Sequence, residues 1–139
     1  MKLGPSRDSS ISATEHLNLF GKLTGTDTAG VPGLIPGFSL HEELHALEQD
    51  GLSRYQVLSA ATRTPGELIA RAKPTEQRFG TITPGYRADL ILTAGNPLDE
   101  LATLAKPLGV MARGHWRDAQ ELLGLLDSVA AGYRAAAQP

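Results

Sequence analysis

His41-Glu42-Glu43-Leu44-His45 is the run whose residue types and spacing spell chemistry most directly. Two histidines four residues apart share one face of a helix. Their imidazole nitrogens can hold zinc there, while the glutamate after the first polarises a bound water. The arrangement would make a small zinc peptidase with His41 and His45 as ligands and Glu42 as base, and Glu67 is an eligible third ligand from a later helix. Asp27, in Gly25-Thr26-Asp27-Thr28, is the second residue of interest. By spacing alone it is a natural Asx-turn or cap residue.

The structural reading of the H-E-E-L-H run is a solvated helix face carrying His41, Glu42, His45 and Glu48, and three observations favour it over zinc. Ser39-Leu40-His41-Glu42 fits a capping box, which gives Glu42 a structural task. The run falls in the first turns of its helix, just after a loop rich in Pro and Gly. Residues 48 to 51 read E-Q-D-G, so no G-x-x-H continuation supplies a third histidine. The loop from Val31 to Phe38 reads equally as a pocket lining or as a connection packed through Leu34, Ile35 and Phe38. For His115 and Trp116 the expectation is exposure of the first and core packing of the second.

The elements that must position these residues follow from periodicity and punctuation. Residues 1–15 are polar and rich in Ser and Thr, and read as a disordered or altered leader. His16 to Leu23 makes a weak strand at most. Ser39 opens a helix with Leu40, Leu44 and Leu47 on one face, and Gly51 stands where a C-terminal cap belongs. Ser53 starts a second helix, with Tyr55, Leu58 and Ala61 or Thr62 on one side. Thr64-Pro65-Gly66-Glu67 starts a third, with Pro65 at the first helical position, ending near Ala72 before Pro74. A strand over Gly80–Thr83, a Pro84-Gly85 turn and a buried strand over Ala88–Thr93 come next. Leu98 to Leu104 supplies a helical turn or two, Val110–Ala112 a pairing partner, and Gly114 a reversal before Trp116. Asp118 or Ala119 starts a last helix with Leu122, Leu126, Val129 and Tyr133 in one stripe.

Composition narrows the classes. A chain of 139 residues can bury one respectable core, whereas a complete (β/α)8 barrel needs roughly 250. The formal charge of −2 gives no basis for a nucleic-acid or anionic-membrane partner. The absence of cysteine excludes disulfides, thiolate metal sites and cysteine nucleophiles. With no apolar leader and no stretch of spanning length, the expected location is cytoplasmic.

Several segments in one order carry a resemblance: G-T-D, P-G-F-S-L-H-E-E-L, D-G-L-S, A-A-T-R-T-P, G-T-I-T-P-G-Y-R-A-D-L-I-L, N-P-L and V-M-A-R-G-H-W. Together, from Gly25 to Trp116, they cover about two thirds of the chain. Their colinear order resembles the C-terminal portion of metal-dependent amidohydrolases of the imidazolonepropionase-like type. The resemblance implies an α/β fold: the end of a (β/α)8 barrel with its last strand and following helices, then a small, mainly antiparallel β-sandwich segment and a C-terminal helix. The implied divisions are 1–15 for the leader, 16–79 for the terminal barrel strand, loop and helices, 80–117 for the sandwich segment and 118–139 for the final helix.

The parent chemistry implied is metal-assisted hydrolysis of C–N bonds in amides, cyclic amides or peptides. In that family the Asp of a G-T-D-like segment ends the eighth barrel strand, binds the divalent metal, zinc by expectation, and manages the proton of the attacking water. That role carries over to Asp27 alone. No H-x-H pair occurs, so most of the other ligands are absent from this chain and the isolated chain is expected not to hydrolyse. The implied partners are a small amide or peptide substrate for the complete enzyme, and a second copy or an N-terminal chain. A non-catalytic assembly remnant is the alternative function.

Overall fold

A computed structural model describes Thr24 and residues 37–136, with side chains described to residue 134. Three helices come first: α1 (Phe38–Gln49), α2 (Arg54–Ala61) and α3 (Arg63–Ala72). A stretch of turns and bends leads to β1 (Leu90–Leu92), a 3-10 turn (Leu101–Ala105), β2 (Gly109–Ala112), β3 (His115–Asp118) and α4 (Ala119–Ala136). The three strands form one antiparallel sheet in the order β1-β2-β3, with Ile91 opposite Val110 and Met111 opposite Trp116. Among the described residues no helix is long and apolar enough to cross a membrane.

Local chemistry accounts for several boundaries. α1 ends in a Schellman motif: Gly51 sits at φ 97, its N–H donates to the Glu48 carbonyl at 3.0 Å, and the Leu52 N–H donates to Leu47 at 3.1 Å. The apolar contact that accompanies this motif is present as well, since Leu47 and Leu52 join one cluster. Ser53 caps α2 through a complete capping box with Gln56. Asp118 and Glu121 make the same reciprocal pair at the start of α4, at 2.9 and 3.1 Å.

The core lies between α1, α2 and the 3-10 turn. Leu44, Leu52, Val57 and Leu101 are buried together, with Leu47, Leu58, Ala61 and Leu104 packed around them. Leu101 therefore ties the sheet half of the chain to the helices. Arg54 does so by hydrogen bonding, donating through Nη1 to the Asp99 carbonyl and through Nε to Glu48 Oε1 at 2.5 Å. Close glycine contacts make a third tie. A Cβ on Gly66 would lie 2.2 Å from the Phe79 carbonyl oxygen, and one on Gly80 would lie 2.3 Å from that of Thr62. α3 and the Phe79–Gly80 backbone thus touch at a distance only glycine permits.

Several expectations are corrected. Gly80–Thr83 is not a strand: its backbone finds no ladder partner among the described residues, and Arg87 donates to the Arg78 carbonyl at 2.7 Å and Tyr86 to Thr83 at 3.0 Å, closing turns. Ser39 is not the cap of α1. Gly37 holds that place at φ 85, the helix starts at Phe38, and Ser39 is buried inside its first turn. Pro65 is the third residue of α3 rather than the first, since the chain re-enters the helix at Arg63. Of the expected face of α2, Leu58 and Ala61 do pack against the core, but its buried residues are Val57 and Ala60, and Tyr55 is turned outward at 57% exposure. Ile91 and Leu92 are 57% and 51% exposed, so the described residues leave both faces of β1 open. Trp116 is 45% exposed; its ring lies across Gly109, where no side chain stands in the way.

The expected β1–β2 pairing and the reversal at Gly114 are both present. Pairing runs beyond β1 at each end, with Gly114 donating to the Ala88 carbonyl at 2.9 Å and Leu108 to Leu92 at 2.8 Å.

Candidate functional site

The H-E-E-L-H residues occupy the middle of α1. His41 is the fourth of its 12 residues and His45 the eighth. Leu44 points into the core, while His41 and His45 are half-buried and Glu42 is exposed. Since the helix begins at Phe38, Glu42 lies beyond the third helical position and takes no part in a capping box. That removes one of the reasons for setting the zinc reading aside.

One turn further on, Glu48 acts as a structural tie. Its Oε2 lies 3.8 Å from His45 Nδ1, and its Oε1 accepts from Arg54 at 2.5 Å. A carboxylate shared in this way ties α1 to α2 and lies beside His45. Glu67, the eligible third ligand, belongs to a different surface. It lines a groove with Arg63, Arg71 and Arg78, away from the histidines. Among the described residues no three His, Asp or Glu side chains come together in a way that could hold a metal ion.

Asp27 lies outside the described residues, as do Gly25, Thr26 and most of the Val31–Phe38 loop. Thr24 is described. Its N–H and its hydroxyl both donate to the Ala60 carbonyl at 3.3 Å, at the C-terminal end of α2. The helix's free terminal carbonyl is thereby satisfied by the chain three residues before Asp27.

Two further features were not singled out by the sequence. Asp89, in the R-A-D-L-I-L segment, accepts from the Arg87 Nε at 2.5 Å and from the backbone N–H of Arg113 at 2.7 Å. The N–H of Arg113 and the side chain of Arg87 hold its carboxyl below the usual range. The second is the groove of about 240 Å³ between α3 and the stretch from Arg78 to Tyr86. The i, i+4, i+8 spacing of Arg63, Glu67 and Arg71 could have marked its helical wall. Nothing in the sequence placed Arg78 opposite.

The amidohydrolase family model matches residues 2–117, which is well over half of the chain. The chain belongs to the amidohydrolase family. Among solved structures, a crystal structure of an amidohydrolase is similar at 27% identity and a TM-score of 0.48, over 56% of this chain and 19% of that one. The chain's match thus spans about a fifth of the solved relative's length. No curated protein matches the chain.

Proposed function

We propose that this chain is the C-terminal part of a hydrolase acting on C–N bonds of small amides, cyclic amides or peptides. The observation that carries the reading is the family match over residues 2–117. The proposed arrangement is the end of a (β/α)8 barrel, with Asp27 at the mouth of its last strand, followed by a sandwich segment over residues 80–117. Open apolar residues on both faces of β1, Ile91 and Leu92, support the sandwich reading, since a strand of that composition is ordinarily covered. An N-terminal chain or a second copy is the proposed source of that cover.

In the complete enzyme a divalent metal, zinc by expectation, would activate water for attack, and Asp27 would bind it and accept the water's proton. The sequence holds no H-x-H pair to supply the other ligands, so hydrolysis is assigned to the complete enzyme. A second reading keeps a place because Glu42 is free of capping: zinc on His41 and His45, with Glu42 as base.

The test is turnover of a panel of amides, cyclic amides and dipeptides by the purified chain with added zinc. No turnover is expected from the chain alone, and turnover is expected when the chain is joined to a sequence supplying the missing histidines. Steady hydrolysis by the chain alone, lost in Asp27→Ala, would overturn the incomplete site while keeping the chemistry. Hydrolysis that survives Asp27→Ala would overturn the role of Asp27.

A further inference from the structure

We infer that the groove between α3 and the Arg78–Tyr86 stretch is a binding site for a small dianion, a phosphate monoester or a dicarboxylate. Arg63, Glu67 and Arg71 stand one turn apart on one face of α3 and form one wall. Arg78, Thr81 and Tyr86 face them across a cavity of about 240 Å³. Such a volume suits a small metabolite or the charged end of a larger one.

The cavity has a floor fixed by backbone. Gly66 is buried against the Phe79 carbonyl, and Gly80, at φ 90, lies against the Thr62 carbonyl. The two walls are thus set at their separation by main-chain contact rather than by flexible side chains. Preorganisation of that kind limits what ligand binding must order.

Charge decides the ligand class. Three guanidinium groups against one carboxylate leave a net +2 around one concavity. Glu67 lies one helical turn from both Arg63 and Arg71, yet it closes an ion pair with neither. Arg63 and Arg71 have no carboxylate partner among the described residues, in contrast to Arg54 and Arg87. Arg78 is oriented by the Tyr86 hydroxyl, to which its Nη1 donates at 3.3 Å, and its remaining N–H groups are available. Guanidinium forks match the planar or tetrahedral oxygens of carboxylate and phosphate in pairs of hydrogen bonds. A dianion neutralises the set, and the hydroxyls of Thr81 and Tyr86 offer further donors.

The site shares no residue with Asp27 or with the H-E-E-L-H run, and it stands or falls independently of the proposed hydrolysis. The experiment is calorimetric titration of the purified chain with inorganic phosphate and, separately, with succinate, at constant ionic strength set by chloride. Saturable binding of at least one is expected. It should weaken about tenfold in Arg63→Gln, Arg71→Gln or Arg78→Gln, as loss of a charge-assisted bond implies, and tighten in Glu67→Gln. Binding of phosphate alone would identify the phosphate source, and binding of succinate alone the dicarboxylate. Circular dichroism melting confirms that each variant folds. No saturation with either anion, or an affinity unchanged in a folded Arg63→Gln/Arg71→Gln double variant, would overturn the inference.

Discussion

The Asp89 carboxylate reaches across to the backbone N–H of Arg113, 24 residues away, and accepts it at 2.7 Å. Arg113 and Gly114 are the two central residues of the β2–β3 turn, and both have positive φ, 51 and 82. A two-residue turn of this kind follows the right-handed twist of the strands, but it places a non-glycine residue in the left-handed region. Asp89, the residue just before β1, holds that strained turn from beside the strand that pairs with β2. The motif segment R-A-D-L-I-L therefore carries an acid for a structural reason.

A pH dependence follows from the lowered pKa of Asp89, caused first by the Arg113 N–H and then by Arg87. The group binds its proton less readily in the folded state than in the unfolded chain. Its contribution is complete above the ordinary value of 3.8 and is lost as the pH falls through the lower folded value. Asp89 is exposed and its interactions are screened by solvent, so urea melts of the wild type and Asp89→Asn should differ by about 0.5 kcal/mol at neutral pH. The two should converge in strong acid. A constant difference across the range would show that the charge plays no part.

The left-handed conformation of Arg113 gives a second expectation. Asn tolerates positive φ better than Arg and is favoured at the first central position of such turns. Arg113→Asn should stabilise the fold by about 0.5 kcal/mol, visible as a raised denaturation midpoint with an unchanged slope. Arg113→Val should move the midpoint the other way.

Glycine substitutions should separate by what a Cβ would meet. Gly66→Ala puts a methyl 2.2 Å from the Phe79 carbonyl oxygen, where backbone cannot give way cheaply. A loss of about 2–3 kcal/mol is expected. Gly124→Ala, in α4 with nothing within 4 Å, should instead gain about 0.5–1 kcal/mol from helix propensity. Equal effects in thermal melts would contradict the close contact at Gly66.

What was legible in the sequence divides along the same physical line. Local signals read true where residues within a turn of one another settle the backbone: Gly51 ending α1, Ser53 opening α2, Asp118 or Ala119 opening α4 and Gly114 turning the sheet. They misled where the outcome depended on a neighbour. Ser39 has the right chemistry for a cap, but Gly37 had already turned the chain. Gly80–Thr83 has strand composition but no strand to pair with among the described residues, and Ile82 is 88% exposed. The arginines of the groove come from two segments brought together by Gly66 and Gly80, a contact with no periodicity to announce it. For the candidate catalytic site, the family resemblance was legible from the colinear segments, while Asp27 lies outside the described residues.

Leu101 tests how strongly the two halves of the fold depend on each other. It is 2% exposed and enters the helical core from the 3-10 turn. Leu101→Ala should cost about 2–4 kcal/mol through lost burial and the cavity left behind. Because this side chain ties the sheet half to α1 and α2, amide exchange should speed up in both. A loss of protection confined to the 3-10 turn would mean that the halves fold separately.

Zinc titration separates the two readings of α1. His41 and His45 stand one turn apart with Glu42 free, but His45 already has Glu48 near it and no third ligand joins them among the described residues. Two imidazoles alone hold zinc weakly, because structural and catalytic sites use three or four protein ligands. The chain as purified should carry little zinc, and added zinc should leave its melting temperature nearly unchanged. The His41→Ala/His45→Ala variant should behave the same way apart from a small change in helix stability. About one zinc per chain, lost in the double variant together with a fall in melting temperature, would establish a metal site on α1. It would also place a ligand from outside the described residues beside those histidines.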